Sequence, residues 1–282
     1  MNTLVDKVID LNGWEQFQDK LDALKNECFR QQSSSRFLYR GQGDNSLRLM
    51  TTLERSGKGS ESLKRYHQLI SVVKPQIESF TGATWNILLY PSGIEKWLEE
   101  NYTLIPDAFG WSPEFQGTYS FMTYLRHYGF PSPFLDWTTS PYIAAYFAFR
   151  QPSSCCNSSV SIYAYLESTS NFGQKRSNNK PCIYTFGPYI RTDRRHFLQQ
   201  SQYTVCIIRD GEWQYAPHEE AFARNDKDQD ILWKFNIPYS ERVKVLRILD
   251  SYNINALSLF GSDESLMETM AFREIYFQDK EL

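Results

Sequence analysis

The chain has 282 residues, a formal net charge of −3 and 41% hydrophobic residues, values typical of a globular protein with one or two domains. Its longest apolar run, residues 142–149, is far shorter than the roughly 20 residues that span a bilayer, so no membrane helix is expected. The first residues lack a basic segment followed by an apolar one, which argues against a secretory signal. The five cysteines form no CxxC pair, and we expect reduced thiols in a cytoplasmic protein.

The first half of the sequence is predicted to be mainly helical. Ser-Pro pairs at 112–113 and 140–141 indicate two helix starts, because serine accepts from free backbone N–H groups and proline suits the first helical position. A short strand at 36–40 ends at Gly41, and a stiff loop is expected at 130–137, where two prolines fix φ. The predicted helices run from Trp14 to Cys28, over 60–80, after Ser92, from Pro113 to near Gly129, and from Tyr142 to Arg150.

The second half is richer in predicted strands, at 160–166, 182–186, 203–208 and 231–237. The remaining segments are predicted as a flexible loop at 168–180, a helix at 191–200, a charged loop at 217–230, a helix capped by Ser240, a short strand or turn at 254–260, and a final helix at 263–276. This pattern predicts an α+β fold, in which a helix-rich N-terminal half packs on a small, twisted, mixed or antiparallel sheet. Because no linker divides the chain, a single domain is expected over 1–282, with its core at about 10–272.

Several common chemical motifs are missing from the sequence. Gly41-Gln42-Gly43 lacks the third glycine of a dinucleotide fingerprint, so a turn is the better interpretation. No phosphate-binding GxxxxGK[ST] or GxSxG motif occurs, and none of the four histidines has metal-ligand spacing. The basic cluster of Arg191, Arg194, Arg195 and His196 is either a solvated helix face or a phosphate contact.

Two segments carry a more specific signal. The first is Phe37-Leu38-Tyr39-Arg40-Gly41-Gln42, and the second runs from His127-Tyr128-Gly129-Phe130-Pro131 through Leu135-Asp136-Trp137-Thr138-Thr139-Ser140-Pro141 to Ala145-Tyr146-Phe147-Ala148. Together they resemble the FRG domain, a bacterial and phage family named for its Phe/Tyr-Arg-Gly motif. Ser132-Pro133-Phe134 departs from the family's usual Thr-Arg-Leu. Partial matches follow at Gln199–Thr204 and at Leu259–Asp263.

A second, weaker resemblance is to NAD-dependent ADP-ribosyltransferases of the Arg-Ser-Glu type. Their first strand carries an arginine, a Ser-Thr-Ser strand leads into a helix, and a Gln/Glu-x-Glu turn completes the site. Arg40, Thr138-Thr139-Ser140 and Gln200-Ser201-Gln202 are similar to these three elements. The resemblance implies an ADP-ribosyltransferase-like fold in which Arg40 holds a phosphate or ribose of NAD.

The resemblances imply a set of site residues. The catalytic candidates are Arg40, His127, Asp136 and Gln202. The candidates for binding NAD are Tyr39, Arg40, Gly41, Gln42, Trp137, Thr138, Ser140, Tyr146 and Tyr203, and no metal is expected. Cleavage of the nicotinamide–ribose bond builds positive charge on the ribose, which a carboxylate stabilises.

Gln202 cannot supply that negative charge. Asp136 is the alternative acid, with Glu212 or Glu219 behind it. Structural roles stay open for most of these residues: Arg40 pairing with Asp136, His127 ending a helix, and Trp137 and Tyr146 packing in the core.

Three functional hypotheses follow. The first is an ADP-ribosyltransferase in toxin or phage-defence biology, with NAD as substrate, a protein or nucleic-acid acceptor and an antitoxin as partner. The second is a non-catalytic module that binds a nucleotide or a partner. The third is a hydrolase centred on His127 and Asp136. The sequence leaves the oligomeric state open.

Overall fold

The structure is a computed structural model of the chain that describes residues 7–31, 37–87, 113–152, 159–167, 180–186, 193–224 and 230–277. The predicted helix after Ser92, Arg191 and nearly all of the predicted loop at 168–180 lie outside these ranges. Across the described ranges, no helix combines the length and the apolar character that crossing a membrane requires.

A mixed β-sheet forms the centre of the molecule. Its eight described strands are β1 (Val8–Asp10), β2 (Phe37–Gln42), β3 (Leu135–Thr138), β4 (Ser159–Leu166), β5 (Cys182–Phe186), β6 (Ser201–Asp210), β7 (Glu212–Tyr215) and β8 (Ile231–Pro238). The strand order is β1-β8-β4-β2-β3-β6-β5, and β7 pairs with the C-terminal end of β6. Only the β1–β8 pair among them is parallel. These strands and their helices confirm the predicted α+β class.

The helices are α1 (Trp14–Gln31), α2 (Thr52–Arg55), α3 (Leu63–Thr81), α4 (Pro113–His127), α5 (Pro141–Arg150), α6 (Arg194–Leu198), α7 (His218–Phe222), α8 (Arg242–Ser251), α9 (Ala256–Phe260) and α10 (Asp263–Ala271). A 3₁₀ turn, Tyr239–Glu241, precedes α8, and a π-helical turn, Phe272–Tyr276, follows α10. Gly129 follows α4 with φ 87°, so the predicted helix end is confirmed.

Two separate apolar clusters cover one face of the sheet. The first lies over β8, β4 and β2, where Phe17 of α1, Ile143 of α5 and Leu249 of α8 are completely or almost completely buried. The second lies over β6 and β5, where Ile70 of α3 and Phe121 of α4 are buried. The boundary between the clusters therefore falls at β2 and β3, in the middle of the sheet.

A third cluster covers the opposite face. It joins Leu38, Trp137 and Tyr165 of the sheet to Phe222 of α7 and to Leu49 of the segment after β2. Neighbouring residues of β2 and β3 divide between the two faces, because successive side chains of a strand point in opposite directions. The sheet is thus buried on both sides at its centre.

Gly41 allows β2 and α5 to pack at backbone distance. A Cβ atom at this position would lie 1.9 Å from the Ala144 carbonyl oxygen and 2.6 Å from the Ala148 nitrogen. The small residues of α5 thus permit this close approach. The glycine of the Arg40-Gly41 motif is a packing residue.

Several predictions were wrong. The segment predicted as a short strand or turn at 254–260 contains α9, which Asn255 caps and Gly261 ends with φ 65°. The segment predicted as a charged loop at 217–230 contains α7, whose Glu219 is buried against Arg48. Short-range charge patterns failed there because a tertiary ion pair makes burial of the acidic residue favourable.

Three further details differ from the prediction. Asp136 and Trp137 belong to strand β3 rather than to a stiff loop, because β6 pairs with them. Ser240 lies within the 3₁₀ turn and does not cap α8. The short strands β1 and β7 were not predicted, since segments of three and four residues carry little periodicity.

Candidate functional site

A cleft of about 260 Å³ opens on the helical face, at the boundary between the two apolar clusters. The strands beneath it are loosely joined, because β2 and β3 share a single register pair, Tyr39 with Thr138. Helix α5 contributes Ala144 and Phe147 to the wall, and the end of α4 contributes His127. The cleft therefore forms where two helical layers meet over a weakly paired part of the sheet.

Arg40 lines the cleft, and its guanidinium group connects β2 to β3. Its Nη1 donates to the backbone carbonyl oxygen of Asp136 at 2.8 Å, whereas its buried Nε atom has no hydrogen-bond partner among the described residues. Burial lowers the pKa of this guanidinium, while the nearby Asp136 carboxylate opposes the change. A positive charge that has lost part of its hydration gains from an anionic ligand.

Asp136 places a carboxylate at the same cleft. Its Oδ2 accepts from Nη2 of Arg126 at 2.5 Å, and its Oδ1 has no partner among the described residues. The side chain of Arg126 is 16% exposed, that of Asp136 39%, and the Nε of Arg126 also lacks a described partner. Pairing of Arg40 with the Asp136 side chain was one alternative that the sequence left open, but Arg40 contacts the backbone oxygen and Arg126 binds the carboxylate. Arg126 was not among the predicted site residues, although it directly precedes His127, where the second motif segment begins.

His127 and Tyr203 meet at the cleft wall. The Nε2 atom of His127 lies 2.7 Å from the hydroxyl oxygen of Tyr203, and both residues line the cleft. The ring of His196 stacks on Tyr203 at 5.6 Å and 17°, with its Nδ1 atom 3.5 Å from the same oxygen. Burial lowers the pKa of His127, so its imidazole is neutral near pH 7. His196 was singled out in the sequence only as part of a basic cluster.

The three segments that are similar to ADP-ribosyltransferase elements occupy the adjacent strands β2, β3 and β6. Thr138 pairs with Ser201 across β3 and β6, and both line the cleft. Thr139 is bonded twice to Gln200, through backbone atoms at 3.1 Å and side-chain oxygens at 2.9 Å. Gln200 has φ 49°, so the glutamine turn enters β6 through a left-handed residue.

Comparison with protein families supports the first of the two resemblances. The family model of the FRG domain matches residues 35–155. This segment of the chain is therefore similar to the FRG domain. The matched range includes Arg40, His127 and Asp136, whereas β6 with Tyr203 lies beyond it. A search of curated proteins and a search of solved structures found no match.

Gln202 lies outside the cleft. Its neighbours Ser201 and Tyr203 line the cleft, and alternation along β6 directs Gln202 to the opposite face. There it is 7% exposed and is the register partner of Trp137. The position that resembles a catalytic glutamate therefore faces the other layer.

Trp137 and Tyr146 have mainly structural surroundings. The indole nitrogen of Trp137 donates to Oγ1 of Thr204 at 2.8 Å, within the cluster on the opposite face. Tyr146 is 3% exposed and its hydroxyl bonds Glu268 at 3.1 Å. Trp137 still contributes to the cleft lining, whereas Tyr146 does not.

The remaining polar candidates lie around the cleft rather than in it. The Ser140 hydroxyl caps α5, and the side-chain amide of Gln42 donates to the Leu47 carbonyl oxygen at 2.7 Å. Neither residue lines the cleft, and nor do Glu212 and Glu219. Tyr39 and Gly41 do line it, although the Tyr39 ring is almost fully buried.

The described part of the chain offers no set of metal ligands. No group of three or more His, Cys, Asp or Glu residues suited to a metal ion occurs there. The cleft and the residues directly beside it instead offer the guanidinium groups of Arg40 and Arg126, one carboxylate, one imidazole and one phenol. These groups suit binding of a polar ligand and transfer of protons.

Proposed function

We propose that the cleft binds NAD and that the protein is an ADP-ribosyltransferase with a protein or nucleic-acid acceptor. The observation that carries this proposal is the pairing of Arg40 and Asp136 in one cleft, each with a polar side-chain atom that no described residue satisfies. Buried polar groups in native proteins nearly always have partners, so such atoms in a cleft favour a bound ligand.

Arg40 is the anion-binding group in this proposal. Its guanidinium is tethered to the Asp136 carbonyl oxygen by Nη1, and we assign the rest of the group to a phosphate oxygen or a ribose hydroxyl of NAD. Arginine binds phosphate with a fixed geometry that lysine cannot reproduce. The proposed binding geometry therefore depends on the guanidinium group as well as on its charge.

Asp136 takes the role that Gln202 cannot fill. When the bond between nicotinamide and ribose breaks, positive charge develops on the ribose. The Oδ1 atom of Asp136 stabilises that charge, while Arg126 fixes the carboxylate through Oδ2. The absence of a glutamate at position 202 then has no bearing on catalysis, because that position faces the opposite layer.

The size of the cleft suits part of a dinucleotide. Its volume of about 260 Å³ is just below the 300–1,000 Å³ typical of pockets for small molecules. We place the nicotinamide and its ribose inside, next to Asp136, and the adenosine half beyond the rim. Nicotinamide mononucleotide should therefore compete with NAD.

The test is to measure NAD binding by calorimetry and nicotinamide release in the presence of a cell lysate. We expect Arg40→Ala to abolish binding, and Asp136→Asn to bind NAD but lower nicotinamide release at least 100-fold. The matched control is Arg65→Ala, because Arg65 is an exposed arginine on α3. Unchanged binding in Arg40→Ala would exclude this site.

A second candidate is a module that binds a nucleotide without cleaving it. It is favoured by the ion pair with Arg126, which partly neutralises the Asp136 carboxylate. This function predicts binding that depends on Arg40, together with no nicotinamide release from any variant. The same two measurements therefore distinguish the candidates.

The biological setting belongs to the same proposal. The resemblance to the FRG family implies a cytoplasmic toxin or phage-defence protein with an antitoxin partner. Expression in bacteria tests this: wild-type protein should slow growth, and Asp136→Asn should not. The hydrolase hypothesis stays a prediction from the sequence.

A further inference from the structure

The Tyr203 hydroxyl has an unusual position among the groups of the cleft. Tyr203 itself is completely buried within the sheet layer, yet it contributes to the cleft lining. The imidazoles of His127 and His196 lie at 2.7 Å and 3.5 Å from its hydroxyl oxygen. None of these three side chains has a part in breaking the nicotinamide bond as proposed above.

We propose that Tyr203 and His127 form a proton relay for an acceptor that attacks through a hydroxyl group. This inference rests on the proposed function, and it assigns the chemical class of the acceptor. A hydroxyl nucleophile must lose its proton during transfer, whereas a carboxylate acceptor has none to lose. A base in the cleft therefore favours the hydroxyl class, water included.

In this proposal the proton of the acceptor hydroxyl is transferred along the short contact between Tyr203 and His127. The acceptor oxygen bonds to C1′ of the ribose as the C1′–nitrogen bond breaks, and the electron pair of that bond leaves with neutral nicotinamide. The acceptor proton passes to the Tyr203 oxygen while the tyrosine proton passes to Nε2 of His127. The products are the ADP-ribosylated acceptor, nicotinamide and a histidine imidazolium that releases its proton to solvent.

The surroundings of His127 suit a base. Burial lowers the pKa of its imidazole, so the ring is neutral and able to accept a proton at the start of the reaction. The carboxylates of Asp136 and Asp193 favour the imidazolium once it forms, and the guanidinium groups of Arg126 and Arg195 oppose it.

The phenol cannot act as the base alone. Burial and the Asp136 carboxylate raise the pKa of Tyr203, which disfavours a free phenolate. Proton transfer to His127 must therefore accompany proton uptake from the acceptor. The structure supplies the required short distance between the phenol oxygen and Nε2.

His196 is a positioning residue in this arrangement. Its ring lies nearly parallel to that of Tyr203, and it is only 7% exposed. Stacking fixes the phenol plane and so the direction of the hydroxyl toward His127. His196→Phe retains an aromatic ring and should lower kcat less than the loss of either relay group.

The experiment measures kcat, KM for NAD and the pH profile of ADP-ribose transfer in full-length protein. Tyr203→Phe and His127→Gln should each lower kcat about 100-fold, within the range for loss of a general base, and leave KM within twofold. The double variant should lose little more, because both groups serve one relay. Tyr119→Phe is the matched control, since Tyr119 is a buried neighbour of Tyr203 that does not line the cleft.

The pH profile and the chemical linkage give independent readouts. Wild-type kcat/KM should fall at acid pH as His127 is protonated, and this acid limb should disappear in His127→Gln. The bond formed with the acceptor should resist neutral hydroxylamine, which cleaves ester links to carboxylates. A labile link, or full activity with an unchanged pH profile in Tyr203→Phe, would overturn the relay.

These results separate the relay from the function on which it rests. If wild-type protein neither binds nor cleaves NAD, both proposals fail. If NAD binding depends on Arg40 and nicotinamide release depends on Asp136, but Tyr203→Phe and His127→Gln behave like Tyr119→Phe, the relay alone fails.

Discussion

The two helical layers beside the cleft differ in how they contact the sheet. On the α5 side, Gly41 brings the backbones of β2 and α5 together, and the small residues of α5 fill the interface. On the α4 side, the end of the helix places Arg126 and His127 against Asp136 and Tyr203. One layer is thus joined by apolar contact at backbone distance, and the other ends in polar and titratable groups.

This difference indicates a division of roles. A rigid wall at α5 fixes the position of β2 and therefore of Arg40, because the glycine contact leaves no room for displacement. The α4 side carries the groups that exchange protons and bind charge. A site needs both, since catalytic geometry depends on rigid support.

The largest expected effect is a loss of stability when the close contact between β2 and α5 is disrupted. Gly41→Ala should lower the free energy of unfolding by about 3 kcal/mol or more, because the new methyl group collides with backbone atoms of α5. Gly43→Ala is the control, since a Cβ there would lie an ordinary 3.5 Å from the Ala148 carbonyl oxygen. Urea denaturation of both variants measures the difference. Equal stability would mean that the α5 contact is easily displaced.

The next effect tests whether the chemistry is confined to the helical face. Gln202→Glu should not increase nicotinamide release, and it should lower stability by about 2–3 kcal/mol because it buries a carboxyl group beside Trp137. Gln202→Met, of similar size and without charge, serves as the control. A gain in turnover would show that position 202 reaches the ligand.

An ion pair on the α5 side gives a smaller effect. Glu268 accepts from Arg150 at 2.6 and 2.7 Å and from Tyr146 at 3.1 Å. Glu268→Ala should cost about 1–2 kcal/mol of stability, typical of hydrogen bonds to charged groups, and leave NAD binding unchanged. Glu264→Ala, at an exposed position on the same helix, is the comparison. Weaker NAD binding in Glu268→Ala would contradict the division between the layers.

The smallest effect concerns pH. The pKa of His127 is lowered in the folded protein, so the folded state favours the neutral ring. The resulting stability is present above the ordinary histidine pKa of about 6.5 and is lost as the pH falls through the lower folded value. The stability difference between wild type and His127→Gln should therefore shrink from pH 7 to pH 5. Thermal denaturation at both pH values measures it, and a constant difference would contradict the lowered pKa.

Much of the fold followed from local patterns. The helices at 63–81, 113–127 and 141–150 and the strands at 159–166 and 231–238 agree with the predicted segments to within three residues. Each has clear periodicity or a Ser-Pro start. The errors fall where local signals are short or where a distant partner overrides them, as at α7 and α9.

The candidate site was predictable only in part. Arg40, His127 and Asp136 could be predicted because they lie in conspicuous motif segments, and all three line the cleft. Arg126 and His196 were not recognised as site residues, since their importance comes from contacts with Asp136 and Tyr203. Gln202 has the spacing expected of the catalytic position, but its side chain lies on the opposite face of the sheet. That face is set by the register of β6 against β3.

The amino-acid sequence by itself determined most of the long helices and strands and the motif segments that meet at the centre of the molecule. Apolar periodicity, helix caps and the Arg40-Gly41 motif are local properties, and they act before distant contacts form. Only the tertiary structure decided which side chains share the cleft. Strand register assigns each residue to one face of the sheet, and helix packing selects Asp136, Arg126, His127 and Tyr203 as neighbours.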